Sequence, residues 1–165
     1  VGGWWGKSGG NNDTYSGVVV GFRQPPTEME PVPPESVDMA MAFRNVHSWM
    51  RMNQVEMFFA SIYDALKPGG VFGIVQHRGV AGSDVETMKK TAYVSESQVV
   101  EFAELAGFSL EAASEINANP KDTKDYPGGV WTLPPSLSQG DEDREKYLAI
   151  GESDRMTLKF RKPKE

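Results

Sequence analysis

The sequence predicts an α/β domain with a largely parallel sheet, on two observations. Between Val37 and Val75 an apolar strand, a helix of about four turns and a second apolar strand follow one another. That is a βαβ unit, and its crossover implies parallel pairing. The pattern then repeats, with a second helix from Ser95 and a strand ending at Ser114. A chain of 165 residues can build one domain with a real core and is too short for two. Apolar residues make up 39% and charged residues 24%, an ordinary globular composition.

Each element has its own signal. Residues 1–17 hold glycines and two tryptophans without a period and read as an irregular lead-in. Gly6-Lys7-Ser8 suggests a phosphate loop, but the glycine that pattern needs five residues earlier would be Val1. Val18–Phe22 is a short β-branched strand, and the proline-rich stretch 23–36 is a loop. Val37–Phe43 is almost wholly apolar, as a strand covered on both faces would be. Asn53 and Glu56 form a capping box opening a helix whose apolar face is Val55, Phe58, Phe59, Ile62, Tyr63 and Leu66; Pro68-Gly69-Gly70 stops it. Val71–Val75 is the next buried strand. Ser95 and Gln98 form a second capping box, with Val99, Phe102, Ala103 and Ala106 as the apolar face and Gly107 as the stop. Phe108–Ser114 is a strand, 117–140 a long polar insertion, and Asp141–Ile150 a short helix. Met156, Leu158 and Phe160 alternate with Thr157, Lys159 and Arg161, which marks a half-buried final strand.

Composition excludes several classes. The formal charge of −6 argues against a grip on nucleic acid through phosphates; the basic tail 159–164 reads as a solvated strand end. The absence of cysteine removes thiolate catalysis, cysteine zinc sites and disulfides. No run approaches the roughly 18 apolar residues that span a bilayer, so no membrane association is expected. The expected compartment is the cytoplasm by default, with the periplasm left open because the chain opens on Val1 rather than Met.

Ligands of open parallel sheets bind beyond the carboxyl ends of the strands. That rule selects Arg44, Asn45, His47 and Trp49 after one strand and Gln76, His77 and Arg78 after the next, and these clusters hold both histidines of the chain. Asp38 lies at the wrong end of its strand. Of the four tryptophans only Trp49 is kept as a site candidate. A metal held by His47, His77 and a carboxylate is weighed and set aside, so no metal is expected.

Asp38–Phe43, Arg44-Asn45-Val46-His47 and Ala65-Leu66-Lys67-Pro68-Gly69-Gly70-Val71 resemble the second half of a class I S-adenosylmethionine-dependent methyltransferase. The segments 114–125, 130–135 and 147–158 are similar to a bacterial group of predicted methyltransferases. The resemblance implies a Rossmann-like sheet of order 3-2-1-4-5-7-6, its last strand antiparallel. Val18–Phe22 would be strand three, Val37–Phe43 strand four, Val71–Val75 strand five, Phe108–Ser114 strand six and Arg155–Arg161 strand seven. Strands one and two, with the glycine-rich loop, have no match, so a truncated, single partial domain is expected. Its open edge on strand four suggests a homodimer.

For function the resemblance implies S-adenosylmethionine as cofactor, contacted by Phe43, Arg44 and Asn45, and methyl transfer to a small polar acceptor. His47 would be the base and His77 its alternative, with Asn45 beside them. Arg44 or Arg78 would steer a polar or anionic acceptor; Trp49, Asn117 and Asn119 would add contacts, the last two from an insertion acting as a lid. The competing readings are a non-enzymatic interaction module that keeps the second half of the fold, and another Rossmann-like enzyme such as a nucleotide-dependent oxidoreductase.

Overall fold

The computed structural model describes residues 32–164. The lead-in, the phosphate-loop candidate Gly6-Lys7-Ser8 and the expected strand Val18–Phe22 lie outside them. Among the described residues a four-stranded sheet carries helices α1 (Val46–Arg51), α2 (Val55–Ala65), α3 (Val85–Thr91), α4 (Glu96–Leu105) and α5 (Arg144–Ile150). The strands are β1 (Val37–Phe43), β2 (Leu66–His77), β3 (Ser109–Ser114) and β4 (Arg155–Arg161), in the order β1-β2-β4-β3.

β1 and β2 pair in parallel, as the crossover through α2 requires. β4 runs antiparallel between β2 and β3. This is the order 4-5-7-6 with an inserted antiparallel last strand. No helix among the described residues is long and apolar enough to cross a membrane.

The core lies on one face of the sheet. Phe59 of α2 meets Phe72 of β2 at 5.5 Å between ring centroids, and Phe72 meets Phe108 at 5.4 Å. Val99 and Ala103 of α4 are fully buried beside them, with Phe102 and Ala106 partly buried. Met156, Leu158 and Phe160 enter the same core, while the alternate residues of β4 are half-buried. Gly107 ends the second unit at φ +101°, and a side chain there would also press on the Tyr63 ring at 3.0 Å.

Four expectations are corrected. β1 is not covered on both faces: Met39, Met41 and Phe43 are exposed, and only Ala42 is fully buried. The capping box at Asn53 does not form. Gln54 occupies the N-cap without a side-chain bond, and the Asn53 amide oxygen instead accepts from Lys89 at 3.0 Å. Ser95 is the N-cap of α4, but its hydroxyl lies against that of Ser97, and Gln98 turns to Glu101. Helix α2 ends at Ala65, before Pro68-Gly69-Gly70, which form an irregular start to β2. Gly69 holds φ +77° there, donating to the Lys162 carbonyl and accepting from Arg161.

Among the described residues β1 is the outer strand of the sheet. Asp38, at its start, is exposed and pairs with Lys67 at 2.8 Å. The basic tail is a strand end held by local partners: Lys159 and Arg161 pair with Glu111, and Lys162 donates to the Tyr63 and Leu66 carbonyls.

Candidate functional site

At the carboxyl ends of β1 and β2 the chain turns sharply. Arg44 leaves β1 with φ +59°, its N–H still donating to the Val75 carbonyl at 2.7 Å. The Asn45 carbonyl accepts from the Ser48 and Trp49 N–H groups, which starts α1. α1 then points His47 back over the strand ends. His77 is the last residue of β2, so the two imidazoles meet at 5.6 Å. The edge of Trp131 closes on His47 at 6.1 Å.

Trp131 comes from the insertion, which is an ordered cap. A short 3-10 helix, Gly129–Thr132, sits in a second core with Ala92, Tyr93, Tyr126, Val130, Leu133 and Tyr147. Asp122 fastens this cap. Its buried carboxylate accepts from the Tyr93 hydroxyl at 2.9 Å, the Asp154 N–H at 2.7 Å and the Lys124 N–H at 3.0 Å. Burial and the Asp122 charge push the Tyr93 hydroxyl well above its ordinary value. Asp154 ties in Lys124 at 2.9 Å and the Arg78 side chain at 3.7 Å.

Both histidines are neutral at pH 7. Burial lowers His47 to about 4, with Arg51 and Arg44 adding to it. Burial, His47, Arg155 and Arg44 lower His77 to about 3. Their hydrogen bonds give them different chemistry. Gln76 is fully buried, and its amide nitrogen donates to the Ala92 carbonyl at 3.1 Å, which orients the amide. The same nitrogen lies 3.2 Å from His47 Nδ1, so Nδ1 accepts and Nε2 carries the proton. In that tautomer His47 offers an N–H, not a lone pair. This argues against the expected base role. His77 Nδ1 lies 2.5 Å from the Ser153 hydroxyl, which can either donate or accept. With Ser153 accepting, His77 Nε2 is bare and can take a proton.

Other candidates fall elsewhere. Trp49 is a core residue, stacked on Phe58 at 4.6 Å and edge-on to Phe59, which removes it from the ligand contacts. Arg78 is held by both carboxylate oxygens of Glu115. Asn117 donates to Thr157, and Asn119 to the Ile150 and Glu152 carbonyls. These two bind backbone and strand side chains, so they hold the insertion rather than a substrate. Phe43 is exposed at the end of β1, and Arg44 and Asn45 are exposed beside it. The residues not foreseen are Trp131, Ser153 and Arg155, which with Arg44, His77 and Glu152 line a cavity of about 90 Å³. Arg155 follows the insertion at the amino end of an antiparallel strand, so the rule of parallel strand ends does not reach it.

The sheet order defines the fold. The chain has the Rossmann-like fold of class I S-adenosylmethionine-dependent methyltransferases. Residues 7–74 match a family model described as a methyltransferase domain. A methyltransferase from Methanosarcina mazei aligns with a TM-score of 0.52 at 10% identity, over 84% of this chain and 64% of that one. A protein from Galdieria sulphuraria described as a putative sarcosine dimethylglycine methyltransferase gives 0.52 at 15% identity, over 83% and 57%. The cyclase SpnF gives 0.51 at 18% identity, over 83% and 53%. The chain therefore spans between half and two thirds of the length of these structures. No curated protein matches its sequence.

Proposed function

We propose that the protein carries the acceptor half of an S-adenosylmethionine-dependent methyltransferase acting on a small polar molecule. The observation that carries this reading is the meeting of His47, His77 and Trp131 beyond the carboxyl ends of β1 and β2, where ligands of such sheets bind. The residues fit one side of the cofactor. Phe43 offers an exposed ring at the end of β1 and Asn45 an amide without a partner among the described residues. Among the described residues no glycine-rich turn follows a strand there, and the methionine and ribose ends would be held by residues other than those described.

When bound, the cofactor supplies a methyl group on a positively charged sulfur. The chain's own work is alignment and proton management. Trp131 walls the site and excludes water from the imidazole pair. His47 Nε2–H donates to an acceptor oxygen or nitrogen and orients its lone pair. His77 Nε2 takes the proton of an acceptor that must lose one, and Ser153 holds the ring by Nδ1.

The test is transfer of a labelled methyl group from the cofactor into a pool of small polar metabolites. Transfer that His77→Gln lowers at least tenfold supports the reading; a folded chain transferring no label to any pool contradicts it. The likeness to SpnF, a cyclase, favours a second reading in which this fold serves other chemistry; cofactor bound without methyl loss would select it.

A further inference from the structure

We propose that the pocket bounded by Arg44, His77, Trp131, Ser153 and Arg155 is an anion subsite that holds a carboxylate or phosphate group of the acceptor. Only the word acceptor rests on the methyl-transfer reading; the subsite stands on the geometry of the pocket.

Size comes first. At about 90 Å³ the cavity is far below the roughly 300 Å³ of a whole-ligand pocket, so it takes one functional group. Charge comes second. Two guanidinium groups from separate elements, Arg44 after β1 and Arg155 at the start of β4, line it against a single carboxylate, Glu152. Glu152 pairs with Arg155 Nη2 but is half exposed, at the rim. The chain as a whole carries −6, so this local positive sign runs against its composition.

Unmet hydrogen bonding is the third observation. The Arg44 side chain has no ion pair or hydrogen bond among the described residues, and Arg155 Nε is buried without an acceptor. Neighbouring cations are committed: Arg78 to Glu115, Lys124 to Asp154, and Arg51 Nε to the Lys89 carbonyl. Two guanidinium groups brought together repel, and an oxyanion between them removes that cost while filling planar donor sets suited to carboxylate and phosphate. Burial and Arg44 together lower Arg155 from its ordinary value. Ser153 supplies a hydroxyl, and the Trp131 ring covers the apolar part of the same group.

The experiment is an NMR titration of the whole chain with inorganic phosphate and, separately, sodium acetate at constant ionic strength, chloride serving as the control. The subsite predicts saturable shifts of the His77 and Trp131 side chains for at least one anion. Preference for phosphate assigns a phosphomonoester and preference for acetate a carboxylic acid. Arg44→Gln, at an exposed side chain that holds no other residue, weakens binding about tenfold or more. Arg155→Lys weakens it too, because lysine lacks the fork. Lys146→Gln, remote from the pocket, leaves it unchanged. Shifts that do not saturate, that chloride reproduces, or that survive Arg44→Gln overturn the proposal. Titrating the same sample with S-adenosylhomocysteine separates the two readings. Anion binding without it keeps the subsite and removes methyl transfer; the reverse keeps methyl transfer and removes the subsite.

Discussion

Replacing Asp122 by alanine unfastens the cap from the sheet, and the cost can be worked from its contacts. The carboxylate is 5% exposed and accepts from the Tyr93 hydroxyl, the Asp154 N–H and the Lys124 N–H. A hydrogen bond to a charged group is worth about 1.5–3 kcal/mol, and a buried donor left unmet incurs its desolvation. The Lys124 N–H is only part-buried and finds water. The Tyr93 hydroxyl and Asp154 N–H do not, because both bonds are buried. Two such losses give about 3 kcal/mol at the low end. With a urea dependence of about 2 kcal/mol per molar, the unfolding midpoint falls by about 1.5 M. Asp122→Asn falls nearly as far, since one oxygen becomes a second donor facing a donor. In either variant the Trp131 resonance moves away from its His47-packed position. A midpoint shift below about 0.5 M, with Trp131 unmoved, would refute the view that Asp122 holds the cap.

The remaining predictions concern the histidines and the core. Because the folded-state values of about 4 for His47 and about 3 for His77 lie below the ordinary 6.5, their contribution is complete above pH 6.5. It is lost as pH falls toward 4 and then 3, by about 1–2 kcal/mol each between pH 7 and 5. Histidine C2-proton titration checks this, and either ring titrating near 6.5 refutes it. Gln76→Glu places a carboxylate against His47 Nδ1, so the ring should take its proton there and titrate at least about one unit higher; nitrogen-15 spectra report the tautomer directly. Trp49→Ala removes a ring stacked on Phe58 and should cost about 3–5 kcal/mol in stability, while His47 and His77 keep their titration values.

Much of the fold was legible because its signals are local. The bounds of β1 followed from a run that is apolar except for Asp38, and the burial of β4 from strict alternation at Met156, Leu158 and Phe160. The antiparallel insertion of β4 came instead from the family resemblance. An apolar run does not say how many faces are covered, and Met39 and Met41 prove to be exposed. The capping box at Asn53 failed because Asn53, at φ +53°, turns its side chain to Lys89 on another helix, a contact no local pattern records. Helices α1 and α3, of six and seven residues, were not foreseen, and α3 buries only Met88.

The site was half legible for the same reason. Both histidines sit at the ends of parallel strands, where a general rule points. Trp131, Ser153 and Arg155 reach the pocket through the insertion and β4, far along the chain. Choosing between Trp49 and Trp131 required knowing which one the core consumes, and that depends on Phe58 and Phe59. The roles of the two imidazoles were not legible at all, since they turn on the Gln76 amide and the Ser153 hydroxyl.

Calorimetric titration of the folded chain with S-adenosylhomocysteine, followed by NMR on the same sample, tests the central claim most directly. The account predicts saturable binding with shifts at Phe43, Arg44 and Asn45, beside His47 and His77. A folded chain that releases no heat and shows no shift at those residues would contradict it.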